Sequence, residues 1–181
     1  MRRPQETTQP EVWDGVLGLV DLEVAHYHYD EERKVRRMTV VPRTRTAVCP
    51  DCGGLCEGVH QTRDRDSIRD LPISDRAVEL RVRVWQFACP HCDQKFTPTV
   101  ASVAEGAHAT ERFLQRCAAL VRISDIANAA EFLGVPEKTL EGWYYDYVER
   151  TQAGGQPSLS PIRAIGIDEL SQKKGTAASS P

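Results

Sequence analysis

An α+β fold is predicted: a small β module built around paired cysteines, followed by a helical bundle. Three observations predict it. Two Cys-x-x-Cys pairs stand at 49–52 and 89–92. Runs of period-two alternation lie before and between them, the mark of half-buried strands. Beyond Pro98 the apolar period changes to 3.6, the mark of amphipathic helix. The 181 residues are 40% hydrophobic and 27% charged, a soluble globular composition. No apolar run is long enough to span a bilayer, so no membrane partner is expected. No apolar stretch follows Met1-Arg2-Arg3, so a secretory signal is not expected either. Six cysteines in a chain read this way suggest a reducing, cytoplasmic setting, where Cys-x-x-Cys pairs hold metal. The formal net charge is −3, so a grip on nucleic acid would need a local basic patch.

Each element follows in chain order. Residues 1–10 read as a loose tail. From Glu11 to Leu22 the apolar positions Val12, Trp13, Val16, Leu17, Leu19 and Val20 fit a short amphipathic helix, interrupted by Gly15 and Gly18. Glu23 to Tyr29 alternates as a strand, Asp30-Glu31-Glu32 reads as a turn, and Lys34 to Val41 returns as a second strand ended by Pro42. The segment Arg33–Arg45 is the most basic run. It offers Arg33, Lys34, Arg36 and Arg37, then Arg43 and Arg45, as either a solvated hairpin face or a phosphate-contacting surface. Arg63 to Arg76 alternates in charge sign and reads as exposed surface. Val78, Leu80, Val82 and Val84 make the clearest strand, with Arg81 and Arg83 on its charged face beside Trp85 and Phe87.

The cysteines carry the strongest signal. Cys49, Cys52, Cys89 and Cys92 form two knuckles, each with Pro after its first Cys. Two such knuckles supply the four soft ligands of a closed tetrahedral structural zinc site, and iron fits the same cage. A closed site stabilises a fold and hydrolyses nothing. The module is therefore zinc-ribbon-like, with room for a β-hairpin between the knuckles. Cys56 is a minor candidate ligand, and Cys117 falls on an apolar helix face as a core residue. His91 sits within the second knuckle, directed away from the metal. His26 and His28 share one strand face and read as surface residues.

Helical periodicity then sets in. Thr110 can cap a helix bearing Phe113, Leu114, Cys117, Leu120 and Val121. Ser124 can cap a second, short helix. Leu133-Gly134-Val135 is a turn, and Pro136 opens a third helix with Leu140, Trp143, Tyr144 and Tyr147 on its apolar side. This layout is a helix-turn-helix, whose second helix would place Lys138 and Thr139 at base edges. Residues 101–150 hold eight acids against five bases, which opposes phosphate and keeps a plain helical bundle open.

The order of these motifs is recognisable. Cys49-Pro50-Asp51-Cys52-Gly53, Asp70-Leu71-Pro72, Arg81-Val82-Arg83-Val84, Phe87-Ala88-Cys89-Pro90 and Phe96-Thr97 resemble the N-terminal zinc finger of bacterial transposases of the ISL-three insertion-sequence type. Ile126-Ala127, Leu133-Gly134-Val135 and Thr139-Leu140 resemble that family's helix-turn-helix. Ile165-Gly166-Ile167-Asp168-Glu169 resembles the start of its ribonuclease-H-like domain, and Asp168 matches the first carboxylate of the Asp-Asp-Glu triad. The likeness runs to residue 175 and ends at Thr176. It implies double-stranded DNA, the transposon ends, as partner, and magnesium only in a full-length relative. Asp168 and Glu169 are adjacent on one expected strand, so their side chains point to opposite faces and cannot form a two-metal clamp alone.

The expected organisation is thus an N-terminal helix and hairpin over 11–45, a zinc-ribbon-like finger over 46–100 and a helix-turn-helix region over 107–150. A linker over 151–161 and a truncated first strand of a ribonuclease-H-like domain over 162–181 follow. The function expected is that of a truncated transposase fragment. It would bind DNA through Arg33, Lys34, Arg36, Arg37, Arg81, Arg83, Lys138 and Thr139, with Asp168 an inactive remnant and no strand-transfer activity. The alternative is a zinc-stabilised protein-interaction module without DNA binding, and self-association is open in either case.

Overall fold

The computed structural model describes residues 10–152. Asp168 and the expected catalytic strand lie outside the described residues. The fold is mixed, with a mainly antiparallel sheet, a cysteine-lined finger and three packed helices.

Helix α1 (Pro10–Leu17) opens it, with Pro10 at its first position. It stops earlier than the apolar spacing predicts. Gly18 takes φ +63°, and its N–H donates to the Asp14 carbonyl, so the chain leaves the helix there. Leu19 and Leu22 are buried all the same, because they fold back onto the sheet. Strands β1 (Leu22–Asp30) and β2 (Val35–Pro42) form the expected hairpin, with Lys34 at φ +54° in its turn.

Two short strands, β3 (Ala47–Val48) and β4 (Leu55–Cys56), flank the first knuckle. Strand β5 (Val59–Ile73) then runs antiparallel to β6 (Arg76–Ala88). Ser74 and Asp75, at φ +50° and +57°, make the tight two-residue turn between them, with the twist that hairpins favour. Strand β7 (Lys95–Phe96) pairs back onto β6 beyond the second knuckle. The sheet order is β1-β2-β6-β5, and β2 runs parallel to β6. The hairpin of residues 11–45 and the finger of 46–100 therefore share one sheet.

Alternation puts Val24, Tyr27, Met38, Val40, Ile68 and the Val78–Val84 series on one buried face. Helix α1 covers it, stacking Trp13 on Tyr27 with ring centroids 3.8 Å apart. Beside that stack lies Arg36, whose guanidinium donates to the Tyr27 hydroxyl and the Ile73 carbonyl and covers the Trp13 ring. The opposite face is polar and carries His26, His28, Arg37, Thr39, Glu79, Arg81 and Arg83.

Helices α2 (Glu111–Ile123), α3 (Ile126–Leu133) and α4 (Glu137–Gln152) bury a second core of Phe113, Leu114, Cys117, Ala129, Ala130, Val135 and Leu140. Thr110 caps α2 as expected. Asp125, not Ser124, caps α3: its carboxylate accepts from the Asn128 N–H, while Ser124 closes α2. Gly134, at φ +60°, ends α3. Trp143 and Tyr147 pack on this core, but Tyr144 stacks edge-on with exposed Tyr145 instead. Burial pushes the Cys117 thiol up to about 12, in keeping with a core role. Helix α4 runs two residues into the stretch expected as a linker. No helix among the described residues is long and apolar enough to cross a membrane.

Sheet and bundle meet through two consecutive residues of β5. Asp70, buried, receives the Arg112 guanidinium on both oxygens and the Thr110 hydroxyl on one. Arg112 also donates to the Leu17 carbonyl at 2.7 Å, tying in the end of α1. Arg69, on the other face, donates to the Gly134 carbonyl at 3.0 Å and the Leu133 carbonyl at 3.4 Å. Breaking a buried ion pair from one side leaves an uncompensated charge. Arg112→Ala is therefore expected to cost about 3–5 kcal/mol. Asp70→Asn, which keeps an acceptor and frees a half-exposed guanidinium, should cost about 1–3 kcal/mol. Urea unfolding checks the order, and equal losses would show that the buried carboxylate is not the costly member.

Candidate metal centre and nucleic-acid interface

The two knuckles have the same backbone. The Cys49 N–H donates to the Gly54 carbonyl and the Gly53 N–H returns to the Cys49 carbonyl. In the second knuckle, Cys89 donates to the Gln94 carbonyl and Asp93 returns to the Cys89 carbonyl. In both, the residue after the second cysteine is left-handed: Gly53 at φ +73° and Asp93 at φ +57°. Each turn thereby brings two sulfurs to the same side.

The structure brings Cys49, Cys52, Cys89 and Cys92 together, with all four Sγ atoms within 4.8 Å of one another. The closest pairs across the knuckles are Cys49–Cys92 at 3.6 Å and Cys52–Cys89 at 3.5 Å. Thiolates about 2.3 Å from a central ion at tetrahedral angles stand about 3.8 Å apart. The donor set and its spacing thus fit a four-coordinate metal ion. Cys49 and Cys89 are buried, while Cys52 and Cys92 face outward. Burial pushes the Cys89 thiol up, but the amides of His91 and Cys92 and the neighbouring thiols outweigh it, holding it down to about 6. Such amides favour thiolate, the form a metal needs.

Behind the quartet lies a small apolar cluster of Trp85, Phe87 and Cys56, with Val41, Ala47 and Phe96 packed against it. Trp85 and Phe87 of β6, which alternation puts on the same face as Arg81 and Arg83, therefore lie beneath the knuckles and are not exposed aromatics of that face. The Cys56 thiol is directed at the Gly54 carbonyl, 3.7 Å away, outside the quartet. His91 lies over Gly54 of the opposite knuckle, where a β-carbon would come within 2.4 Å of its ring.

The basic residues are divided by the sheet. Arg33 and Lys34 are exposed at the β1–β2 turn. Arg37 reaches Asp30 and Glu79, each at 3.3 Å. Arg81 pairs with Asp66, and Arg83 forks onto Asp64 and holds its carboxyl below the usual carboxylate range. These three stand on the open polar face. Arg36 does not: it is on the opposite face, engaged with Tyr27, Trp13 and Ile73. Lys138 and Thr139 are exposed in the first turn of α4. Sequence reasoning missed Arg69, Asp70 and Arg112, which hold the bundle against the sheet. It also read the sign alternation of 63–66 as mere surface. Asp64 and Asp66 are spaced by two, like Arg81 and Arg83, and that shared spacing is the pairing signal.

Residues 45–95 match the family model of the zinc-finger of transposase IS204/IS1001/IS1096/IS1165. The transposase for insertion sequence element IS1001 of Bordetella parapertussis is 28% identical over 138 residues, covering 74% of this chain and 32% of that protein. The chain carries a transposase-like zinc finger and is distantly homologous to an IS1001 transposase. It spans about a third of that relative's length. No solved structure matches it.

The two left-handed positions give a direct test of the knuckle backbone. Gly53→Ala forces a β-carbon into a left-handed conformation and should cost about 1–2 kcal/mol. Asp93→Gly, at the equivalent position, should stay within about 0.5 kcal/mol of the parent. Thermal unfolding of both variants checks the asymmetry, and an unaffected Gly53→Ala would show that the turn tolerates another conformation.

Proposed function

We propose that this chain is the DNA-binding part of a transposase. In this reading it holds double-stranded transposon ends through the arginine-bearing sheet and the helix-turn-helix, both braced by a structural zinc. The observation that carries the reading is the finger itself. The segment matching transposase fingers is built into the same sheet as Arg37, Arg81 and Arg83, and that sheet is locked to the helical bundle through Arg69 and Asp70. Zinc would be held by Cys49, Cys52, Cys89 and Cys92. When bound it supplies a rigid cross-link, while the chain's own part is to present four thiolates from two like turns.

Catalysis is not part of this proposal. Among the described residues, the cysteine quartet is the one group of three or more His, Cys, Asp or Glu side chains set to hold a metal. A second reading has its own support. The outward face of α4 carries Glu137, Glu141, Asp146 and Glu149, and Phe132 and Ile123 are 77% and 82% exposed. Those features suit a protein-interaction module.

Two experiments test the proposal. Protein prepared without added metal should carry one zinc per chain by elemental analysis. Cys89→Ser should lose that zinc and unfold the finger, whereas Cys117→Ala should keep it. In the second, duplex DNA titrated at rising salt should show affinity falling steeply, with terminal-repeat sequence preferred over random sequence. Absence of duplex binding at low salt, together with self-association, would favour the interaction module.

A further inference from the structure

The polar face of the sheet holds a groove of about 450 Å³ across β1, β2 and β6, with Asp66 and Ser67 of β5 at its side. Two rows of side chains form its floor. One runs His28, Arg37, Glu79 across adjacent strands, and the other runs His26, Thr39, Arg81. Arg33 stands over one end. Strands lie about 4.8 Å apart, so each row reaches roughly 10 Å across.

The charges in this groove are arranged unequally. Arg37 is braced by Asp30 and Glu79, and Arg81 by Asp66. A guanidinium has five N–H donors, and these ion pairs use only some of them. The carboxylates therefore fix the planes of both arginines while leaving donors over for a ligand. The two imidazoles, the Thr39 hydroxyl and the exposed Arg33 add donors on the same side. A donor-rich, shallow, open groove of this kind suits an oxyanion carried on an extended polymer.

Its position names the polymer. Glu79 also faces Arg69, at 3.7 Å, and Arg69 donates to the carbonyls of Leu133 and Gly134. Gly134 is the turn residue three positions before α4 begins. The groove and the N-terminus of α4 thus flank one arginine. Lys138 and Thr139 lie in the first turn of that helix.

We propose that this groove binds the phosphodiester backbone of duplex DNA, with His26, His28 and Thr39 as contacts beside Arg33, Arg37 and Arg81. The inference rests on the DNA-binding reading above and gives that reading a defined surface. Phosphate contacts here would set the register and leave base reading to α4.

The test uses the full chain and random-sequence duplex DNA, followed by fluorescence anisotropy at several salt concentrations. Thr39→Glu places a carboxylate mid-groove and should weaken binding roughly tenfold or more. Arg33→Gln, at an exposed turn, should lower the slope of log affinity against log salt by about 1. The double variant His26→Ala, His28→Ala should lose affinity severalfold with its thermal unfolding unchanged. Gln152→Glu, exposed at the far end of α4, should bind as the parent does. If the parent binds duplex and the groove variants bind equally well, the groove proposal is overturned and the DNA-binding reading stands. If the parent binds no duplex at any salt, both fall, and binding of an acidic peptide at the groove becomes the reading to pursue.

Discussion

Arg69 and Asp70 sit next to each other on β5 and point to opposite faces of the sheet, and each grips a different part of the helical bundle. Asp70 reaches through the core side to Arg112, Thr110 and, by way of Arg112, the end of α1. Arg69 reaches over the polar side to the carbonyls that end α3. Their backbone adds to the clamp, since Arg69 donates to the His108 carbonyl and accepts from the Thr110 N–H. One covalent step of the chain therefore fixes the bundle in both translation and tilt. A buried carboxylate is costly in itself, so its worth lies in geometry more than in net stability.

The other end of the sheet depends on β6. Its first half carries the valines and leucine of the main core, and its last residues, Trp85 and Phe87, form the seat of the cysteine cluster. The second knuckle is the turn that follows it. One strand thus carries both the seat of the cysteines and the face bearing Arg81 and Arg83. The cysteine cluster and the polar surface share this element, which makes the finger more than an appended staple.

Much of this was legible in the sequence where periodicity and chemistry agreed. The Val78–Val84 alternation, the matched knuckles, the Thr110 cap and the Leu-Gly-Val turn each have a local cause, and each is found in place. The parallel pairing of β2 with β6 has none, because nothing within either strand names a partner 42 residues away. Strand β5 was hidden because it is an edge strand with charges on both faces, so no apolar stripe marks it. The division of the basic run was hidden for a related reason: its residues look alike in sequence, whereas the pleat sends Arg36 and Arg37 to opposite sides. Asp70 looked like one more surface acid until Arg112, 42 residues on, was brought beside it.

The acidity of α4 has to be weighed against that divided surface. In a helix-turn-helix that supplied its own phosphate grip, Glu137, Glu141, Asp146 and Glu149 would repel the duplex they approach. Here the cations are lodged in the sheet, and the bundle is clamped beside it through Arg69. A helix held this way need not attract DNA by itself. Attraction falls off within a Debye length, about 8–10 Å at ordinary salt, so only groups near the contact matter. At the start of α4 those are Lys138 and Thr139 with Glu137 and Glu141, while Asp146 and Glu149 are two to three turns away along the helix. In the DNA-binding reading proposed above, such an arrangement separates holding from reading: the sheet would set where the backbone lies, and the acids of α4 would penalise any approach that the sheet does not deliver.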